Sequence, residues 1–194
     1  MSDFESICQQ LSKRLPPLTN LTIDMDRVRQ AAVSLILRDY GGLAQLLIIQ
    51  RAEHPDDHWS GHLALPGGRA EAGDADLLAT AARETSEEVG IDLLKGGGFI
   101  GQLETIKPNN PRLPVIEITP LVALAPTQLS LQLSAEVDAA FWVSVGWLKQ
   151  QGRSSVHRLL IEDIEHQWPA YPSERGPIWG ITERILTEFL ALLD

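Results

Sequence analysis

The 194-residue chain is 44% hydrophobic, enough to bury a core, and its length suits one domain with an extension. With 16 basic residues against 26 acidic it carries a formal charge of −10, and so lacks the basic surface with which nucleic-acid binders neutralise phosphates. One cysteine, Cys8, excludes an internal disulfide and fits a reducing, cytoplasmic setting. The opening Met1-Ser2-Asp3-Phe4-Glu5 lacks the basic and apolar regions of a secretory leader, and no apolar run approaches the roughly 18 residues of a membrane span.

Residues 3–14 are expected to form an amphipathic helix, with Phe4, Ile7, Cys8 and Leu11 at helical spacing, stopped by Pro16-Pro17. Residues 31–37 and 43–49 read as strands joined through Tyr40-Gly41-Gly42, and 63–65 as a short strand running into Pro66-Gly67-Gly68. A helix is expected over about residues 75–89, with Asp74 as N-cap and Gly90 just past its end. Its small or apolar face, Leu78, Ala81, Ala82, Thr85 and Val89, can lie closely on a sheet. Residues 98–106 and 114–124 alternate as strands around the polar loop 107–112. Residues 141–145 read as a further strand, and 156–161 with 166–171 as a hairpin. An amphipathic helix is expected over about 178–193, with Ile181, Ile185, Leu186, Phe189 and Leu193 on its inner stripe. This order of elements predicts an α+β or mixed α/β domain.

The chemistry concentrates on the helix after Gly67-Gly68. Glu84, Glu87 and Glu88 are related as i, i+3 and i+4, so their side chains share one face. Like charges at that spacing repel, and a bound cation is the simplest compensation. An all-oxygen donor set suits Mg²⁺ or Mn²⁺, which can polarise a phosphoryl oxygen and lower the pKa of a bound water. Arg83 precedes the cluster and can reach Glu87 at i+4, while the turn at residues 65–68 offers backbone carbonyls. An acidic cluster on a helix is more often a solvated face; the glycine turn and the arginine tilt the balance towards a metal site.

This segment resembles the Nudix box, G-x5-E-x7-R-E-U-x-E-E-x-G-U with U a bulky apolar residue. Arg83, Glu84, Glu87, Glu88, Gly90 and Ile91 match in register, and Thr85 replaces the apolar residue. Five residues lead from Gly68 to Asp74 where the pattern has Glu, and eight residues instead of seven separate Asp74 from Arg83, so Glu71 and Asp74 both compete for the role of the first acid. The resemblance implies an α/β/α sandwich with a mixed sheet over residues 28–194, preceded by a helical extension over 1–27. It implies that the Gly68 carbonyl, Glu84, Glu87 and Glu88 hold the cations, and that Arg83 orients the glutamates. Members of the family draw a further acid from outside the box, and Glu136, six residues before Trp142, has that placement. The competing reading makes Glu136 the N-terminal acid of a short helix over 135–140. Glu104 and Glu117 are weaker candidates for the same role.

The implied reaction is metal-dependent hydrolysis of a diphosphate bond in a nucleoside diphosphate joined to another group. The chain resembles the coenzyme A diphosphatase-like branch in Gly61-x3-Leu65-Pro66-Gly67-Gly68, in the spacing from Asp74 through Thr80-Ala81 to Arg83-Glu84, and in Trp179-Gly180-Ile181-Thr182. It departs from that branch at Asp57, where an arginine is expected, and at Leu65, where phenylalanine is. ADP-ribose and nucleoside diphosphate sugars therefore stand beside coenzyme A, and an oxidised nucleoside triphosphate stands behind them. Arg51, Arg69, Lys107 and Arg112 are candidate phosphate or ribose contacts. Trp59, just before the box, has two readings, a residue that lines the entry or stacks a base and, favoured over it, a half-buried structural tryptophan; Trp179 reads as core, and the five histidines as structural or surface residues. The N-terminal helix and C-terminal segment offer surfaces for a homodimer. The alternative function is a Nudix-like sensor that binds a nucleotide without cleaving it, whose usual mark would be loss of Glu87 or Glu88.

Overall fold

The computed structural model describes residues 1–24, 26, 28–54, 59–108, 115–161 and 164–193. Helix α1 (Asp3–Arg14) opens on a capping box, in which Ser2 Oγ accepts the Glu5 N–H at 3.1 Å and the Glu5 carboxylate accepts the Ser2 N–H at 2.8 Å. Strands β1 (Arg29–Tyr40) and β2 (Leu43–Arg51) form a hairpin closed by Gly41 and Gly42 at φ +61° and +88°, a pair of left-handed residues suited to the twist of the strands. Then come β3 (Leu63–Ala64), β4 (Gly67–Arg69), α2 (Leu77–Val89), β5 (Gly98–Gln102), β6 (Ile116–Leu124) and β7 (Val137–Ser144). The chain continues through α3 (Val145–Gln151), β8 (Ser155–Ile161), β9 (Ile164–Tyr171), β10 (Ile178–Trp179) and α4 (Gly180–Ala191).

Among the described residues seven strands make one mixed sheet. Its path is β3-β2-β1-β6-β5, with β4 also paired to β1 and β7 to β2; β1 and β6 run parallel from Arg29↔Ile116 to Leu37↔Leu124. The central strands read as near-continuous apolar runs because both faces are covered. Leu35, Leu37, Leu46 and Ile48 join Ile7 and Leu11 of α1 and Phe189 of α4 in one cluster, while Ile36, Leu47 and Ile49 join Val89, Ile91 and Leu93 in another. Leu77 and Ala81 of α2 pack against Ala32 and Leu121 in a third. The expected α/β/α sandwich with a mixed sheet is thus the observed architecture. Strands β8, β9 and β10 form a separate three-stranded sheet. Among the described residues no helix is long and apolar enough to cross a membrane.

Several expectations shift. Helix α2 starts at Leu77, capped by Asp76, whose side chain accepts the Ala79 N–H at 2.8 Å; Asp74 is engaged elsewhere. Gly90 ends it in the left-handed conformation at φ +74° as expected. The short helix over 135–140 is absent: pairing with β2, as in Ile48↔Phe141 and Ile49↔Ala140, draws this segment into β7, and the following helix α3 had no counterpart in the sequence reading. Strand β5 stops at Gln102, with only an isolated bridge between Ile106 and Ile118 beyond it. The first two residues of the expected C-terminal helix are strand β10, paired with β9.

Phe189 is fully buried in the cluster that joins α1, the sheet and α4. Phe189→Ala should lower stability by about 3–5 kcal/mol, read as a reduced urea midpoint at constant m-value. A loss below about 1 kcal/mol would mean that α4 is not bound into the main core.

Candidate active site

Strand β4 lays the glycine turn against β1 through Ala32↔Gly68 and Val33↔Gly67. Gly67 sits at φ +148°, and a Cβ there would collide with the Ala32 carbonyl oxygen and the Val33 backbone, so glycine is required on two counts. Its N–H donates to Glu88 Oε2 at 2.9 Å. A Cβ on Gly68 would fall 2.5 Å from the carboxyl carbon of Glu84. The two glycines let the helix bring its carboxylates against the strand. Small residues on α2 assist this approach. Thr85, in the place of the pattern's apolar residue, is fully buried and satisfied: its hydroxyl donates to Ser34 Oγ at 2.8 Å, and Ser34 Oγ donates to the Ala81 carbonyl at 3.3 Å.

Arg83 organises the acidic face. Its Nε and Nη2 donate to the two oxygens of Asp74 at 3.0 and 3.1 Å, Nη2 also to the Arg69 carbonyl at 3.0 Å, and Nη1 to Glu87 Oε2 at 3.0 Å. Nη1 lies 3.1 Å from Glu84 Oε1 and 4.0 Å from Glu71 Oε1. Asp74, with its side chain only 6% exposed, also accepts from the Glu71 N–H at 2.9 Å and the Thr80 hydroxyl at 2.8 Å. Hydrogen bonding to Arg83 holds the Asp74 carboxyl at about 2, and Asp74 in turn raises the Arg83 pKa. Of the two competing acids, Asp74 is therefore the one bound to Arg83, and Glu71 stands at the edge.

A cleft of about 520 Å³ opens beside the glycine turn and takes in Glu84, Glu88, Glu136, Arg51 and Arg69. Burial raises the Glu88 carboxyl to about 7, against the Gly67 N–H that favours its charged form; the charges of Glu84 and Glu136 raise it further and that of Arg51 opposes them. Burial also raises the Glu84 carboxyl, countered by Arg83. Glu136 stands at the entry to β7, with its carbonyl accepting the Ala52 N–H at 2.8 Å. Among the described residues no three His, Cys, Asp or Glu side chains stand together as a preformed metal cage. The donor set still fits a hard divalent ion, which needs only one or two carboxylates beside backbone oxygens, waters and substrate phosphates. The half-buried Glu84 and the buried Glu88, which repel each other, are the groups such an ion would relieve.

Glu87 is turned outward, 58% exposed and tied to Arg83, and does not line the cleft. Arg51 and Arg69 reach the cleft; Lys107 instead pairs with Glu117 at 2.6 Å, and Arg112 lies outside the described residues, as does Asp57. Trp179 is not core: it lines the cleft together with Trp59 and His62. The rings of His157 and Trp179 stack at 3.8 Å and 11°, with Trp168 at 5.6 Å from Trp179. Nothing in the spacing of residues 59, 62, 157, 168 and 179 announces this aromatic group, because it is assembled from separate elements.

Gly68→Ala should leave the fold intact but push Glu84 aside, weakening Mg²⁺ affinity about ten-fold or more by calorimetric titration; unchanged affinity would remove Glu84 from the ligand set. The raised Glu88 pKa has a second consequence. Between about 4.5 and 7 the folded chain holds a proton on Glu88 that the unfolded chain has lost, so stability falls as pH rises through this window. The full effect is of order 3 kcal/mol. Denaturation of the metal-free protein at pH 5 and pH 8 should show that slope reduced in Glu88→Gln, and an identical slope in both proteins would contradict the shift.

A model of the NUDIX domain matches residues 28–164. The uncharacterized Nudix hydrolase NudL of Salmonella dublin is 32% identical over 185 residues, covering 89% of this chain and 85% of the relative. An uncharacterized protein of Schizosaccharomyces pombe is 43% identical over 101 residues; the match takes in 50% of this chain and 31% of that protein, so the chain spans about a third of it. Among solved structures, the MutT/nudix family protein from Enterococcus faecalis aligns with a TM-score of 0.57 over 100% of this chain and 75% of its own, at 20% identity, a likeness of fold. With the matched span running from β1 through β8 and containing the whole carboxylate helix, the chain belongs to the Nudix hydrolase family.

Proposed function

We propose that the chain is a Mg²⁺- or Mn²⁺-dependent diphosphatase. Its substrate is a nucleoside diphosphate joined to a second group, of the coenzyme A, ADP-ribose or nucleoside diphosphate sugar kind. The observation that carries this reading is the meeting of Glu84, Glu88 and Glu136 with Arg51 and Arg69 in one cleft beside the glycine turn. Residues 28–194 are read as the catalytic domain, with 1–27 as its helical extension.

A bound divalent cation would neutralise diphosphate charge and make a water nucleophilic at neutral pH. Glu84, Glu88 and the Gly68 carbonyl are the ligands we assign inside the cleft, with Arg83 holding Glu84 in orientation; Glu87, expected beside them, is turned outward onto Arg83 and joins them only by swinging back towards Glu84. Arg51 and Arg69 offer guanidinium groups to the non-bridging oxygens of the diphosphate. Glu136 accepts the proton of the attacking water. The water oxygen forms the new bond to phosphorus as the bridging P–O bond breaks in line, and that electron pair leaves with the departing phosphate. Both Glu87 and Glu88 are retained, which favours an enzyme over a nucleotide sensor.

A product-resolved panel of coenzyme A, ADP-ribose, several nucleoside diphosphate sugars, NADH and an oxidised dGTP should identify at least one diphosphate cleaved with Mg²⁺ and spared in EDTA. On that substrate Glu88→Gln and Glu136→Gln should each lower kcat about 100-fold or more with the fold intact. Near-normal turnover in Glu88→Gln would sink the metal-site assignment, and nucleotide binding with no turnover of any substrate would turn the reading to a sensor.

A further inference from the structure

The aromatic group beside the carboxylates has no role in the chemistry just described. Trp59 stands in the turn before β3, 38% exposed, and lines the cleft with His62 and Trp179. Its ring meets His62 edge-on at 5.8 Å, and His62 meets Trp179 edge-on at 4.9 Å. Behind Trp179 lie His157, stacked at 3.8 Å, and Trp168; His166 in turn stacks on Trp168 at 5.6 Å. Six rings therefore form a connected series from the cleft to the β8–β9 hairpin. Burial lowers the His157 pKa.

Trp59 combines a partly exposed ring with a place on the cleft wall. Thr182 fixes the local frame: its hydroxyl donates to the Leu63 carbonyl at 3.2 Å, tying the start of α4 to β3. The turn from His62 to Gly67 is five residues, at most about 17 Å of chain, so the aromatic wall and the carboxylates belong to one ligand-sized space. A ligand whose diphosphate lies at Glu84 and Glu88 carries its next group along that wall. Aromatic rings held at a fixed angle favour a flat, aromatic group over a flexible aliphatic one, because offset stacking needs no further ordering of the protein.

We propose that Trp59 stacks on the nucleobase of the substrate and makes the cleft selective for nucleotides over base-free diphosphates, with the His62–Trp179–His157 series bracing the turn that carries it. This rests on the diphosphatase reading for the location of the diphosphate, and the test separates the two. The wild-type chain, Trp59→Ala and Trp59→Phe are titrated by calorimetry with ADP and with inorganic pyrophosphate, each with Mg²⁺. Base stacking predicts that the wild type prefers ADP, that Trp59→Ala weakens ADP about ten-fold with pyrophosphate unchanged, and that Trp59→Phe retains most of the preference. Equal affinity for ADP and pyrophosphate in the wild type, or an undiminished preference for ADP in Trp59→Ala, overturns the proposal. Equal weakening of both probes in Trp59→Ala also overturns it, since the tryptophan would then shape the cleft without reading a base. A Trp59-dependent preference for ADP in a chain that cleaves no diphosphate leaves the base site standing and overturns the diphosphatase reading.

Discussion

The acidic helix can exist in this form because one guanidinium is surrounded on three sides by carboxylates. Arg83 binds Asp74 through two parallel hydrogen bonds, touches Glu84 and Glu87, and closes on the Arg69 carbonyl. The fork geometry of arginine makes this possible where the point charge of a lysine would not. The contact to Arg69 pins α2 to β4, and the contact to Asp74 pins the intervening loop to both. Position and charge compensation are therefore supplied by the same group. What it leaves uncompensated is Glu88, five residues on and buried beside Gly67.

The sheet serves this arrangement by being covered on both faces. Because α1 and α4 occupy one side and α2 the other, the strand carrying Gly67-Gly68 is held between layers and cannot yield when carboxylates crowd against it. The buried Ser34–Thr85 hydrogen bond shows how close α2 lies to β1. A polar pair at that depth is tolerated because its members satisfy each other and the Ala81 carbonyl.

Much of this was readable in the chain. The 3.6-residue spacing of α2, its glycine stop, the β1–β2 hairpin and the apolar stripe of α4 are local patterns, and local patterns survive folding. The register of Arg83 with Glu84, Glu87 and Glu88 was equally local. The misreadings have a common physical origin in long-range contacts. Asp74 looks like a cap until Arg83, nine residues on, claims it and Asp76 takes over the helix end. Residues 135–140 look helical until β2, nearly ninety positions earlier, recruits them as a strand. Trp59 and Trp179 look like ordinary structural tryptophans because they come together from 120 positions apart in the chain. Lys107 faced the opposite outcome, a polar residue near the candidate loop that finds Glu117 instead of the cleft.

The parallel pairing of β1 with β6 sets the order in which all this can come about. Every pair in that register, from Arg29↔Ile116 to Leu37↔Leu124, joins residues 87 positions apart. Closing so long a loop is entropically demanding and rewards the chain only once it is complete. The carboxylate helix lies wholly inside the loop and can form early from local contacts, yet Glu136 and Trp179 lie beyond it. On a ribosome, the carboxylates would thus emerge well before the walls that face them, and the cleft would be among the last features of the molecule to acquire its shape.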